Sequence, residues 1–158
     1  MEKETIFPVR KNTRIPHYNY ATCNYYFVTI CTHNKTCIFG KPGQLNQFGM
    51  ISYECIELIS KFYPNVQIDK FVVMPNHIHM IVVIGAKEKQ AKLPNLSHVI
   101  GQYKMAVTKK IRLLKPDLIV WQRSFHDHII RNQKSFEKIW LYIENNPVKW
   151  EDDCFYSE

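Results

Sequence analysis

The segment VVMPNHIHMIVV, residues 72–83, sets two histidines one residue apart in a run that is otherwise almost wholly apolar. An imidazole is polar at both ring nitrogens, so a buried one needs partners or costs free energy. In a strand, side chains two residues apart share a face. His77 and His79 therefore project together, while Ile78, Met80 and Val82 project to the other side. Two imidazoles so placed can converge on one cation or on a phosphate. The bland alternative is a pair of core or rim histidines, each bonded to a backbone carbonyl. A histidine-triad nucleotide hydrolase would need a third histidine at the next alternate position, where Ile81 stands, so that chemistry is lost.

A second group capable of chemistry lies in WLYIENNPVKW, residues 140–150. At about 100° per residue, a helix with Phe136, Ile139, Trp140 and Ile143 as its apolar stripe leaves Tyr142 at the stripe's edge. Asn146 lies on the same flank one turn further on, and Ser135 and Lys138 share that side. Such a helix presents a phenol and an amide oxygen to one point beside the core. A phenol with a pKa of about 10 is a poor nucleophile at neutral pH unless its anion is stabilised or its target made electrophilic. A divalent ion held by the histidines can polarise a phosphodiester and neutralise developing charge. Attack by the tyrosine then splits strand cleavage into two steps through a covalent phosphotyrosine, which conserves bond energy for rejoining.

The elements that must position these groups follow from periodicity. YYFVTICT (25–32) is rich in β-branched and aromatic residues and reads as a strand. Between Gly49 and Pro64 the positions Ile51, Cys55, Leu58, Ile59 and Phe62 recur at helical spacing. Residues 66–74 and 77–84 read as strands joined at Pro75-Asn76, a tight antiparallel hairpin, because Pro75 cannot sit in a central ladder. Helical period returns over 96–114 at Leu96, Val99, Ile100, Tyr103, Val107, Ile111 and Leu114, with lysines on the other side. VWQRSFHDHIIRN (120–132) suggests a loop and a short strand. Ser135 is placed to cap a last helix, which Pro147 ends. The order β-α-β-β-α-β predicts an α+β fold: a ferredoxin-like antiparallel sheet with helices on one face, plus an added C-terminal helix carrying the tyrosine.

Length and composition are those of one soluble domain, 158 residues with 46% apolar and 22% charged. The organisation expected is a basic N-terminal arm (1–22), a core (23–146) and a short tail (147–158). There is no apolar run of membrane-spanning length and no secretory leader, so a cytoplasmic protein without membrane partners is expected. Five cysteines without a CxxC pair fit reduced thiols, and the spacing of Cys23, Cys31, His33 and Cys37 matches none of the usual zinc templates. Net charge is +7, and residues 85–115 hold eight Lys or Arg against Glu88 alone. That stretch accounts for the whole excess. It suits a polyanion, so Lys104, Lys109, Lys110 and Arg112 are candidate phosphate contacts, with Arg123 beyond them. Arg10, Lys11 and Arg14 interleave with His17, Tyr18 and Tyr20, a mixture suited to backbone contact and base stacking. Otherwise that arm is only a basic leader.

Four segments in order, YYFVTICT, MPNHIHMIVV, VWQRSFHDHIIRN and YIENNPVKW, together resemble the REP-associated tyrosine transposases. These are relatives of the small IS200-like, single-tyrosine HUH transposases, and the resemblance spans roughly residues 14–152. It implies His77 and His79 as metal ligands, Asn146 as a third, amide-type ligand, Mg²⁺ or Mn²⁺ as the ion, and Tyr142 as the nucleophile that becomes linked to a DNA 5′ phosphate. Single-stranded or hairpin DNA would be the partner. The active site would be built by one chain, or in a homodimer that exchanges the Tyr142 helix. Two departures stand out. His126 replaces an aromatic residue common in relatives, and the chain stops soon after Trp150. Two other readings remain at this level: a domesticated, non-catalytic hairpin-binding protein, and a phosphodiesterase that uses water.

Overall fold

A computed structural model of the chain describes residues 24–85 and 92–157. Four strands form one antiparallel sheet: β1 (Asn24–Cys31), β4 (Val66–Val73), β5 (His77–Ile84) and β6 (His126–Ile130), in the order β4-β5-β1-β6. A small ribbon of β2 (Gly40–Lys41) and β3 (Gln44–Leu45) precedes the first helix. The helices are α1 (Gln47–Phe62), α2 (Leu96–Leu114) and α3 (Gln133–Asn145). This is the ferredoxin-like arrangement expected from the element order.

Strand alternation divides the core into two. Tyr26, Val28, Ile30, Ile78, Met80, Val82 and Ile84 face α1 and α2, where they meet Ile56, Ile59, Val99, Ile100, Val107 and Ile111. On the opposite face Phe27, Ile81 and Ile130 meet Ile139 and Ile143 of α3. Two of the stripe residues predicted from sequence are instead exposed. Phe62 and Leu114 both sit in the last turn of a helix, where the helix has run past the sheet. In α1 the buried side chains are Ser52, Cys55, Ile56 and Ile59. Ser52 is a polar member of that stripe because the phenol of Tyr103 on α2 lies 2.6 Å from its hydroxyl, which satisfies both groups in the core.

Each helix opens on an asparagine. Asn46 accepts from Gly49 N–H, Asn95 from Ser97 N–H and Asn132 from Ser135 N–H. The last of these corrects the sequence reading. Asn132 caps α3 and Ser135 lies inside its first turn, because the strand before it ends at Ile130 and leaves Asn132 free to adopt the extended cap conformation. Pro147 follows directly on Asn146, the C-cap of α3, and having no N–H it cannot continue the helix. The turn between β4 and β5 is tied down by its neighbours: Thr32 donates to the Asn76 carbonyl from both its N–H and its hydroxyl, at 2.9 Å each. The first histidine therefore enters β5 from a fixed corner.

Candidate active site

His77 and His79 are the first and third residues of β5, on the α3 face, and both are fully buried. Asn76 fixes the first. Its amide nitrogen donates to the carbonyls of Phe155 (2.8 Å) and Lys35 (3.1 Å), so its oxygen is the atom left to face His77 Nδ1 at 2.8 Å. An amide oxygen can only accept, which puts the proton of His77 on Nδ1 and the lone pair on Nε2. Nε2 has no hydrogen-bond partner, and the nearest carboxylate oxygen, Asp153 Oδ2, lies 3.8 Å away. Thr29, directly across from His79 on β1, sets its hydroxyl 2.8 Å from His79 Nδ1. With Nδ1–H donating to that hydroxyl, His79 also presents Nε2 to the same space.

Burial drives both imidazoles to the neutral form. It pushes His77 down to about 4 against the upward pull of Asp153, and His79 well below the ordinary histidine value, helped there by His77. Neutral imidazole is the state that ligates metal. The Nε2 lone pair of His77 and the side chain of Asp153 thus face one another, with Nε2 of His79 on the same face of the sheet. Ligand atoms of His77, His79 and Asp153 all lie within 4.8 Å of one another, which is the one such cluster among the described residues. The donor set fits a divalent cation, and the orphaned Nε2 is the group such an ion would satisfy.

α3 brings in the remaining groups. The hydroxyl of Tyr142 lies 3.4 Å from His79 Nε2. Its pKa is raised by burial first and then by the charge of Asp153, so the phenolate is disfavoured unless positive charge enters the site. Asn146 is buried, and its amide nitrogen donates to Asp153 Oδ2 while its oxygen has no partner. The sequence-derived set His77, His79, Tyr142 and Asn146 therefore converges.

Asp153 was missed. It follows α3 in a short tail that folds back over the histidines, and as the last of three consecutive acids in EDDCF it carries no periodic signal. The same tail stacks Trp150 (5.9 Å between ring centres) and Phe155 (4.5 Å) on His77. Thr29 was also missed, although it is a polar residue in a run of buried ones, and its parity with Phe27 and Cys31 places it on the site's face.

The predicted DNA contacts lie elsewhere. Lys109, Lys110 and Arg112 are exposed on α2, across the sheet from Tyr142, and Arg123 is exposed in the loop before β6. Lys104 is partly engaged already, donating to the carbonyls of Gln122 (2.8 Å) and Ser124 (2.9 Å). Arg10, Lys11, Arg14, His17, Tyr18, Tyr20 and Cys23 lie outside the described residues. His126 pairs with Thr29 across β1 and β6, which puts it on the site's face of the sheet two strands from His79. The described cysteines are free thiols, and burial pushes Cys31 up to about 11, a value that suits an inert core thiol. No helix among the described residues is long and apolar enough to cross a membrane.

Comparisons with known proteins give a family and a fold. Residues 19–146 match the family described as "Transposase IS200 like". A Haemophilus influenzae protein described only as uncharacterized is 38% identical over 169 aligned positions, which cover 94% of each chain. Among solved structures, a REP-associated tyrosine transposase bound to a REP hairpin superposes with a TM-score of 0.66 at 22% identity, over 87% of this chain and 74% of the other. At that identity the likeness speaks for the fold.

Proposed function

The chain belongs to the IS200-like transposase family, and from that premise we propose that it is a metal-dependent, single-tyrosine strand transferase acting on single-stranded DNA at hairpin-flanked sites. One observation carries the reading. The Tyr142 hydroxyl lies 3.4 Å from a nitrogen of the buried His77–His79–Asp153 cluster. A nucleophile and a cation-binding donor set occupy one place.

His77, His79 and Asp153 would hold the ion through Nε2, Nε2 and a carboxylate oxygen. Asn146 orients that carboxylate and keeps its own oxygen for the same space. A divalent cation held there would polarise a phosphodiester oxygen and neutralise charge that develops on the phosphate and the tyrosine. Imidazole ligands favour Mn²⁺ over Mg²⁺ at such a site. Tyr142 Oη attacks the scissile phosphorus, the bond to the 3′ oxygen breaks, and the phosphate remains on the tyrosine as a 5′ phosphotyrosine. Net, the phenolic proton ends on the departing 3′ oxygen. Attack by a 3′ hydroxyl on the phosphotyrosine then restores a phosphodiester and frees the tyrosine. The hairpin held by the related structure, together with the exposed cations of α2, supports DNA as the partner.

The test uses single-stranded hairpin DNA from the flanks of the protein's own gene, with Mn²⁺, and asks for a denaturation-resistant protein–DNA adduct. The native chain should form it, and Tyr142→Phe and His77→Ala should not. Cleavage persisting in Tyr142→Phe would replace the tyrosine mechanism by a water-using phosphodiesterase. Salt-sensitive binding with no adduct on any hairpin would leave a DNA-binding protein without turnover.

A further inference from the structure

β4 carries a bulge that the mechanism above does not use. Regular alternation from Val66 and Ile68, both on the α1/α2 face, would point Lys70 into the same apolar layer, where an ammonium is costly. The register instead shifts between Ile68 and Lys70: Ile68 pairs with Val82, and Lys70 pairs with Ile81. The extra residue, Asp69, resets the parity. Phe71 and Val73 return to the α1/α2 layer, while Lys70 and Val72 turn to the face that carries α3.

There Lys70 meets α3 at two points. Its ammonium lies 4.1 Å from the ring centre of Trp140 and pairs with the carboxylate of Glu144. Trp140 and Glu144 are one turn apart on a single flank of the helix, and Tyr142 projects from the opposite flank. Within α3 only Ile139 and Ile143 are fully buried, while Phe136, Trp140 and Tyr142 pack half-buried against the same cluster. Two buried points in one line locate a helix, and its rotation about the axis then depends on what holds the half-exposed flanks. A polar clamp adds such a hold on the flank opposite Tyr142. Helical side chains reach about 5–6 Å from the axis, so a rotation of about ten degrees moves the phenol by roughly an ångström.

We propose that Lys70, re-aimed by the β4 bulge, is a positioning residue that fixes the rotation of α3 and so holds Tyr142 at the cation-binding cluster. The proposal rests on the reading of Tyr142 as the nucleophile. Its test compares the full-length native chain with Lys70→Met, which keeps the stem without the charge, and with Lys70→Arg, which can both cover an indole and pair with a carboxylate. With Mn²⁺ and saturating hairpin DNA, adduct formation by Lys70→Met should slow about ten- to a hundredfold, the scale of a reacting group held an ångström out of place. The Kd values for DNA and for Mn²⁺ should stay unchanged, and Lys70→Arg should recover most of the rate. Hydrogen exchange over residues 133–145 should quicken in Lys70→Met and return towards native in Lys70→Arg.

An unchanged adduct rate in Lys70→Met overturns the proposal, as does unchanged exchange in α3. So does a rate loss matched by weaker DNA binding and not rescued by arginine, which would make Lys70 a phosphate contact. If the native chain forms no adduct while α3 exchange responds as stated, the clamp stands and the reading of Tyr142 falls.

Discussion

Thr29 does its work through a single hydroxyl. Its neighbours in β1 are apolar and buried, and its partner across the sheet is His79. When that hydroxyl, 2.8 Å from Nδ1, takes the Nδ1 proton, Nε2 of His79 is the nitrogen left to bind an ion. Asn76 does the same for His77, with the further constraint that its own amide is held by two carbonyls. Valine at position 29 keeps the shape and β-branching of threonine and removes the acceptor. In Thr29→Val the imidazole is free to place its proton on Nε2, in competition with the cation. The expected outcome is a loss of about ten- to a hundredfold in Mn²⁺ affinity with the fold intact, measured by calorimetric titration alongside the circular dichroism spectrum. An unchanged affinity would mean that Nδ1 has another acceptor and that the hydroxyl matters only for packing.

At the scale of elements, the tail after α3 decides access. His77 and His79 have no exposed surface, and Phe155 lies over both rings, 4.5 Å and 5.7 Å between centres. A phosphate approaching the histidines from the side of the tail meets this ring, whereas Asp153 has to stay to complete the donor set. The two roles separate by mutation. Phe155→Ala should speed acylation of the histidines by diethyl pyrocarbonate severalfold, followed by mass spectrometry of the peptide containing residues 77 and 79, while Mn²⁺ affinity persists. Asp153→Asn should weaken Mn²⁺ binding and leave the histidines covered. Equal reactivity in Phe155→Ala and the native chain would show that the cover does not depend on that ring. The tail was also the least legible part of the sequence. The sheet strands, the three helices and the pairing of His77 with His79 follow from periods of two and 3.6, which local residue types reveal. The tail has no period, and Asp153 meets His77 across 76 positions of chain, a proximity that only the finished fold creates. The β4 bulge did leave a trace, since the apolar parity set by Val66 and Ile68 switches to Phe71 and Val73, but the break alone does not say which residue is the extra one. The cap of α3 was misplaced by one turn because both Asn132 and Ser135 are good caps, and the end of β6 decides between them.

Across the whole molecule, the basic face of α2 and the chemistry lie on opposite sides of the sheet, although Lys138 and Lys149 stand beside Tyr142. The sheet separates α2, with Lys109, Lys110 and Arg112 exposed, from α3 and the histidine cluster. A DNA that touches both must therefore pass around an edge of the sheet, with one part held through its phosphates and another presented to Tyr142. The cations of α2 then contribute to affinity and not to the chemical step. Replacing all three by glutamine should weaken hairpin binding across sequences and reduce the slope of log Kd against log salt by about one for each phosphate that is no longer neutralised. At saturating DNA the rate of adduct formation should match the native chain. The measurement is a salt series of fluorescence-anisotropy titrations, paired with single-turnover adduct kinetics. A native salt slope in the triple variant would remove α2 from the interface and make its charge a solvated surface. A lower rate at saturation would instead mean that the helix shapes the bound DNA near the tyrosine, so that grip and chemistry are coupled through the bend of the strand around the sheet.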